Sequence, residues 1–113
     1  MSFLVTLSLS PLSPAEQERD VAARGLDVAL EPTPASRDFD PRPLLRTLTL
    51  PHFAAQGALD ELVPGPRAAA ALEAYANVTV VLVPGAEHSL RPWPASYWRA
   101  LEDWLEATVL AGR

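Results

Sequence analysis

The sequence predicts an α/β fold in which a short parallel sheet of about three strands lies between layers of helices. The order of the segments is the first reason, because apolar β-forming runs alternate with segments of helical composition. That order is typical of parallel strands joined by right-handed crossovers. The composition is the second reason. Hydrophobic residues make up 49% of the 113 residues, which is enough for one domain with its own core.

The first strand is predicted over residues 2–9, which are apolar on both alternating faces, as in a buried strand of a parallel sheet. A helix follows this strand. Ser13 stands at its N-cap, Pro14 at its first position, and Glu16 where a capping box needs an acid. We expect this helix to stop at Gly25.

The middle of the chain contains one irregular stretch, one short helix and one strand. Residues 26–39 hold two prolines and little periodicity, so they are predicted to form a loop. Asp40 and Pro41 repeat the cap-then-proline signal and open a short helix. Residues 52–56 predict the second strand, which ends at Gly57.

The last third of the chain predicts a helix, a strand and a final helix. Residues 67–76 are rich in strong helix formers, and residues 78–83 are β-branched almost throughout. The final helix is predicted from Pro94 to Gly112. Its apolar positions at helical spacing are Tyr97, Leu101, Trp104, Leu105 and Thr108.

Charge and composition exclude several classes of function. With a formal net charge of −5, the chain lacks the basic surface that would attract nucleic acid or an anionic membrane. With no cysteine, the chain has no disulfide, thiolate metal site or cysteine nucleophile. The apolar run over residues 3–9 has no basic flank and no cleavage site, so neither a signal peptide nor a membrane span is predicted. We expect a soluble cytoplasmic protein with no nucleic-acid or membrane partner.

Two loops carry the residues that are suited to catalysis. Asp60 lies in the loop after the second predicted strand, and His88 lies in the loop after the third. In a parallel sheet both loops lie at the carboxyl ends of the strands, where ligands bind. A carboxylate beside an imidazole fixes its tautomer and stabilises the imidazolium when the ring takes a proton.

These two loops resemble the C-terminal half of the α/β-hydrolase superfamily, especially its serine peptidase and esterase branches. The acid loop of that family has the form Gly-x-x-Asp-x-x-Val-Pro, and its histidine loop has the form Pro-Gly-x-x-His. The resemblance covers residues 39–109 well and residues 2–20 less closely. The matching residues are Gly57, Asp60, Val63, Pro64, Pro84, Gly85 and His88, followed by Tyr97 and the pair Trp104 and Leu105 in the last helix.

The resemblance implies that Asp60 and His88 are the acid and base of a Ser-His-Asp triad, but the nucleophile is missing. None of the five glycines flanks a serine in the Gly-x-Ser-x-Gly pattern of the family's nucleophile. Residues 1–113 therefore look like a single partial domain, with the loop over residues 26–39 in the place of a cap. We expect a truncated or remnant hydrolase that is inert alone.

Two other functions stay open. The chain is an active serine hydrolase if another chain or an upstream segment supplies the missing half, or it is a non-catalytic binding or dimerisation module. The binding module would use the tryptophans of the C-terminal region, and the candidates are Trp93, Trp98 and Trp104.

Three serines are the nearest substitutes for the missing nucleophile, and they are Ser8, Ser10 and Ser89. Strand-end hydroxyls usually bond to the local backbone, so a relocated nucleophile is not the prediction we favour. His52 is expected to be a strand residue packed near a helix. A metal site built from His52, His88 and carboxylates is not predicted, because their spacing does not converge. No cofactor is expected.

The missing half also implies a partner. Without the N-terminal half, the first strand has an unpaired edge, and an unpaired apolar edge is a template for pairing with another strand. We expect either a homodimer, in which residues 3–9 of two chains pair about a two-fold axis, or a complementing N-terminal half.

Overall fold

A computed structural model of the chain describes residues 2–26, 36–89 and 94–110. Within these ranges the predicted α/β fold is present as three parallel strands with flanking helices. The strands are β1 (Leu4–Leu7), β2 (His52–Gly57) and β3 (Val78–Val83), in the spatial order β1-β2-β3. The helices are α1 (Pro14–Ala23), α2 (Pro41–Thr47), α3 (Gly65–Leu72) and α4 (Ala95–Trp104), and α4 continues as a π-helix over Leu105–Leu110. Most of the predicted loop over residues 26–39, Trp93 and the predicted end at Gly112 lie outside the described residues.

Strand β2 is the centre of the sheet, and all six of its residues are buried. It pairs with β1 on one side and with β3 on the other, with His52 opposite both Leu4 and Val78. Because side chains alternate along a strand, β2 contributes to a core on each face of the sheet. Phe53 and Ala55 face one core, and Ala54 faces the other.

The two cores give the three layers of the fold. On one face, Tyr97 and Trp104 of α4 pack against Phe53, with the Trp104 and Phe53 ring centroids 5.5 Å apart. On the other face, Leu45 of α2 and Leu72 of α3 pack against β2. The sheet is thus covered on both sides, which agrees with the predicted architecture.

Helix α1 begins with the capping box that the sequence predicts. The Ser13 hydroxyl accepts a hydrogen bond from the Glu16 N–H, and the Glu16 carboxylate accepts one from the Ser13 N–H. Such a cap stabilises a helix by about 1 kcal/mol. The helix ends at Ala23, one residue before its C-cap Arg24, close to the predicted stop at Gly25.

Helix α3 lies earlier than predicted. The sequence predicts residues 67–76, whereas the helix covers Gly65–Leu72. Its early end coincides with two successive turns: the Tyr75 N–H donates to the Leu72 carbonyl, the Val78 N–H donates to the Tyr75 carbonyl, and the chain passes directly into β3. The alanine-rich composition favours a longer helix, but the turn prevails.

The buried stripe of the last helix also differs from the prediction. Tyr97 and Trp104 are buried as expected, but the next buried residue is Val109, while Thr108 is exposed. The reason is the π-helix that follows Trp104. In a π-helix, backbone hydrogen bonds join residues five positions apart rather than four. The residue that follows Trp104 in the core is accordingly Val109, five positions later.

Strand β1 is shorter than the predicted 2–9, and it is an edge strand rather than a buried one. Phe3 is 42% exposed and Leu7 is 41% exposed. The strand ends where Ser8 takes a left-handed backbone conformation, with φ of 53°.

Among the helices that the structure describes, none is long and apolar enough to cross a membrane.

Candidate active site

The site lies at the carboxyl end of the sheet, where the loops after β2 and β3 meet. We name residues 58–64 the acid loop and residues 84–89 the histidine loop. The structure brings Asp60 and His88 together although 28 positions separate them, and His88 Nδ1 lies 2.9 Å from Asp60 Oδ2. The expected meeting of these two side chains is therefore observed.

The Asp60 carboxylate is fully buried and held at both oxygens. Its Oδ1 accepts hydrogen bonds from the backbone N–H groups of Leu62 and Val63, each at 2.9 Å, and its Oδ2 faces His88. A buried carboxylate is stable only when its oxygens are paired in this way. The two backbone bonds fix the plane of the carboxylate, so that Oδ2 keeps one direction for the imidazole.

The His88 ring is the accessible half of the pair, with 47% of its side chain exposed. An ionised carboxylate can only accept, so a neutral imidazole that bonds to it carries its proton on Nδ1. The lone pair of the ring is then on Nε2, the nitrogen on the far side of the ring from Asp60. This tautomer is the one that a general base needs.

The acid loop and the histidine loop are joined through their backbones. The Leu59 N–H donates to the Ala86 carbonyl at 2.9 Å, and the Ala58 N–H donates to the Val83 carbonyl at 3.1 Å. This approach requires a glycine at position 57, because a Cβ there would lie 2.5 Å from the Glu87 carbonyl oxygen and 2.6 Å from that of Ala86. The glycine of the acid-loop motif thus has a steric role.

Helix α1 holds the other side of the acid loop. Arg24 donates hydrogen bonds to the carbonyls of Glu61 and Leu62, and Gln17 also donates to the Leu62 carbonyl. Asp20 orients Arg24 through an ion pair at 3.0 Å and pairs with Arg67 of α3 at 2.7 Å. The hydrogen bond from Arg67, together with the charge of Arg24, holds the pKa of Asp20 below its usual range.

Sequence reasoning missed these supporting residues. Gln17 and Arg24 bond to backbone carbonyls, and a carbonyl acceptor leaves no mark on the identity of its own residue. The spacing of Asp20 and Arg24 was a visible signal for an ion pair within one helix. It gave no indication of the loop that Arg24 also contacts.

A cleft of about 610 Å³ opens beside the His88 ring. Its wall is partly apolar and partly acidic, and it includes residues of both loops. The described lining residues are Leu26, Leu59, Glu61, Leu62, Glu87, His88 and Ser89. The imidazole can therefore be reached from solvent.

The structure gives Ser8 and Ser10 other partners than the imidazole. The Ser8 hydroxyl donates to the backbone carbonyl of His88, and the Ser10 hydroxyl donates to Gln17 Oε1 at 2.8 Å. Ser89 lines the cleft. Ser10 also accepts a hydrogen bond from the Leu12 N–H, which is the expected local backbone contact, whereas the backbone partner of Ser8 lies 80 positions away.

The second histidine lies at the other end of the sheet. His52 is the first residue of β2, whereas Asp60 follows the last residue of that strand. Its ring is buried, Nε2 lies 2.7 Å from Thr6 Oγ1, and Nδ1 has no partner. Burial lowers the pKa of His52 below its usual value. His52 and His88 are not brought together.

The two tryptophans that the structure describes differ in exposure, and Trp93 lies outside the described residues. Trp104 is 6% exposed and belongs to the core, where its ring also contacts Phe3 at a centroid distance of 5.9 Å. Trp98 is 48% exposed and packs its ring on Tyr97. A binding surface of the kind expected for a non-catalytic module would therefore have to do without Trp104.

Comparison with protein-family models, with curated proteins and with solved structures gave no match to this chain.

Proposed function

We propose that this chain carries the acid and the base of a serine hydrolase site and is inert by itself. The observation that supports this proposal is the pair formed by buried Asp60 and half-exposed His88, with 2.9 Å between Oδ2 and Nδ1. The geometry gives the proton on Nδ1 and the lone pair on Nε2, which is the state in which an imidazole activates a hydroxyl group.

The reaction would be transfer of an acyl group from an ester or a peptide bond. A serine oxygen attacks the carbonyl carbon while His88 Nε2 takes the hydroxyl proton, and Asp60 stabilises the imidazolium that results. The tetrahedral intermediate then expels the alcohol or amine, which receives that proton from His88. Water repeats the sequence on the acyl-serine and regenerates the hydroxyl group.

The chain is inert alone because a base without a nucleophile has nothing to activate. Ser8 and Ser10 give their hydroxyl protons to a backbone carbonyl and to a glutamine side chain. The serine of the reaction therefore comes from another chain or from an upstream segment. A remnant that has lost its partner is the alternative outcome.

The open edge of β1 is the surface on which such a partner would extend the sheet. The N–H groups of Leu4 and Ser8 donate to carbonyls next to and within β2. Because backbone groups alternate in direction along a strand, those of Val5 and Leu7 point to the open side. An added strand, from a second copy or from a complementing segment, would satisfy them.

The first test is labelling with a fluorophosphonate serine probe followed by intact-mass analysis. We expect no adduct on the purified chain. When the chain is produced with the sequence that adjoins it in its own genome, we expect one adduct on a serine outside residues 1–113. The substitutions His88→Ala and Asp60→Asn should abolish that adduct, and Asp103→Asn on the exposed face of α4 is the matched control.

The opposite results are equally clear. An adduct on Ser8, Ser10 or Ser89 of the isolated chain that disappears in His88→Ala would mean a relocated nucleophile and an enzyme complete in itself. Absence of any adduct in the extended protein would mean a remnant. The first result overturns the proposal that the chain is inert by itself, and the second overturns completion of the site by an adjoining segment.

A further inference from the structure

Ser8 has an unusual backbone for its residue type. Its φ is 53°, and among the non-glycine residues that the structure describes it is the one with a positive φ. The left-handed region crowds the Cβ of an L-residue, so it is mainly occupied by glycine, asparagine and aspartate. Ser8 occupies this region at the carboxyl end of β1, and Asp60 and His88 lie at the same end of the sheet.

This conformation is fixed from several sides. The Ser8 N–H donates to the Ala55 carbonyl at 2.9 Å and so extends the β1–β2 ladder by one residue. The next residue, Leu9, is bonded at both its N–H and its carbonyl to the side-chain amide of Gln56, which is fully buried. The turn after β1 is therefore held in place by β2.

The result of this turn is that the Ser8 hydroxyl reaches the backbone carbonyl of His88, at 2.5 Å. Strand β2 lies between β1 and β3, so this contact passes over the end of the central strand. It ties the first strand to the loop that follows the last strand, across 80 positions of sequence.

We propose that Ser8 is a positioning residue for His88. This inference rests on the proposed function, and it names a further residue of the same site. Asp60 holds the ring at Nδ1, and Ser8 holds the backbone from which the ring projects. The His88 side chain is 47% exposed, so about half of its surface has no protein around it to fix its direction.

The choice of residue at position 8 supports this role. Glycine or asparagine would adopt the left-handed conformation more readily than serine. Glycine has no hydroxyl group and cannot reach the His88 carbonyl. The hydroxyl contact explains why a serine at this position is favourable in spite of its backbone.

The test uses the Nδ1 proton of His88, which an Asp–His pair shifts strongly downfield in the NMR spectrum and protects from exchange with solvent. Ser8→Gly removes the hydroxyl and the backbone strain together. We expect it to keep the wild-type thermal midpoint or exceed it, yet to lose the Nδ1–H resonance through faster exchange. Ser8→Ala should lose the resonance as well.

A conservative variant and a matched control complete the design. Ser8→Asn tolerates a positive φ and offers an amide N–H to the His88 carbonyl, so it should restore part of the resonance. Ser2→Gly makes the same change at an exposed serine before β1 and should leave the resonance unchanged.

Failure of this inference and failure of the proposed function are distinguishable. If Ser8→Gly keeps the resonance with the wild-type exchange rate, Ser8 does not position His88, while the Asp60–His88 pair stands. If the wild-type spectrum contains no such resonance and Asp60→Asn changes nothing, the pair itself does not form, and both proposals fall.

Discussion

The two histidines show how strongly local surroundings decide what one residue type does. His88 is half-exposed and has a carboxylate at Nδ1. His52 is buried, contacts Thr6 at Nε2, and has no partner at Nδ1. Because Nδ1 of His52 has no hydrogen-bond partner, burying it as an unprotonated nitrogen costs less free energy than burying it as an N–H group. The proton of the neutral ring therefore belongs on Nε2. A second proton would place an unpaired charge inside the domain.

We therefore predict that stability falls on mild acidification because of His52. Its pKa is lowered in the folded state, so the unfolded chain binds more protons between that pKa and about 6.5, the ordinary value. In that window the free energy of unfolding decreases as the pH falls, by up to about 1.4 kcal/mol per pH unit. Urea unfolding between about pH 7.5 and about pH 5 measures this slope.

The variant His52→Gln stays neutral throughout this range, so its unfolding free energy should depend less on pH than that of the wild type. His88→Gln is the matched control, because this variant loses one histidine but retains the buried ring of His52. Equal slopes for the wild type and His52→Gln would contradict the prediction.

At the scale of elements, α1 acts as a support for the acid loop. Helix α1 is far from Asp60 in the sequence, yet Gln17 and Arg24 donate hydrogen bonds to the backbone carbonyls of the acid loop. The acceptors are Glu61 and Leu62. The N–H groups of Leu62 and Val63 are then directed to Asp60 Oδ1. The loop is thus bonded through its carbonyls on one side and through its amides on the other.

We predict that Arg24→Ala loosens this loop with little effect on global stability. Arg24 is partly exposed, and ion pairs of this kind contribute up to about 1 kcal/mol. The amides of Leu62 and Val63 should exchange with solvent several-fold faster, because opening of the loop becomes easier. Hydrogen exchange followed by NMR measures both amides in the folded protein.

Arg37→Ala provides the control for Arg24→Ala. Arg37 also pairs with an acid of α1, Glu18 at 3.2 Å, but this exposed pair lies apart from the acid loop. Its loss should leave the two amides unchanged. Equal protection of Leu62 in Arg24→Ala and the wild type would exclude a supporting role of Arg24.

The elements differ in how far their sequence predicts them. Helix α1 and strand β3 were predicted nearly to the residue, because the capping box and the β-branched run are local signals that agree with the fold. The predicted end of α3 was wrong, and so was the place of Thr108 in the apolar stripe of the last helix, whereas Tyr97 and Trp104 are buried as expected. Backbone hydrogen bonds at Tyr75 turn the chain into β3. The π-helix brings Val109 rather than Thr108 into the core. Neither change has a signal in the composition of its segment.

The same distinction applies to the site. The two loops that carry Asp60 and His88 follow from strand order, so their meeting was predictable from the chain. The support was not, since Ser8, Gln17 and Arg24 all bond to backbone carbonyls of residues far along the sequence. Such partners become visible only when the loops are placed in space.

For the whole molecule, β1 is an edge strand of the sheet within the described residues. Phe3 and Leu7 are exposed beside backbone groups that β2 does not use. If two copies pair through residues 3–9 about a two-fold axis, the strands run antiparallel, and the two sites lie at opposite ends of a six-stranded sheet. A complementing segment that adds a parallel strand would instead end beside Ser8.

We predict that sedimentation of the isolated chain at micromolar concentration detects a dimer, which Leu7→Pro converts to a monomer. The N–H of Leu7 faces the open side, so proline removes a donor from the interface and none from the β1–β2 ladder. Leu7→Ala shortens the side chain but keeps the donor, and it should weaken the dimer less. A monomeric wild type would exclude the homodimer and leave the edge to a different polypeptide.

The contact between Ser8 and His88 also has a consequence for biosynthesis. It joins residues 80 positions apart, and it can close only after β3 has paired with β2. Contacts of such long range form late in folding, because the chain entropy of closing the loop is lost before they contribute. A ribosome must therefore release nearly the whole chain before the imidazole is in place, and a chain interrupted before β3 carries no assembled base.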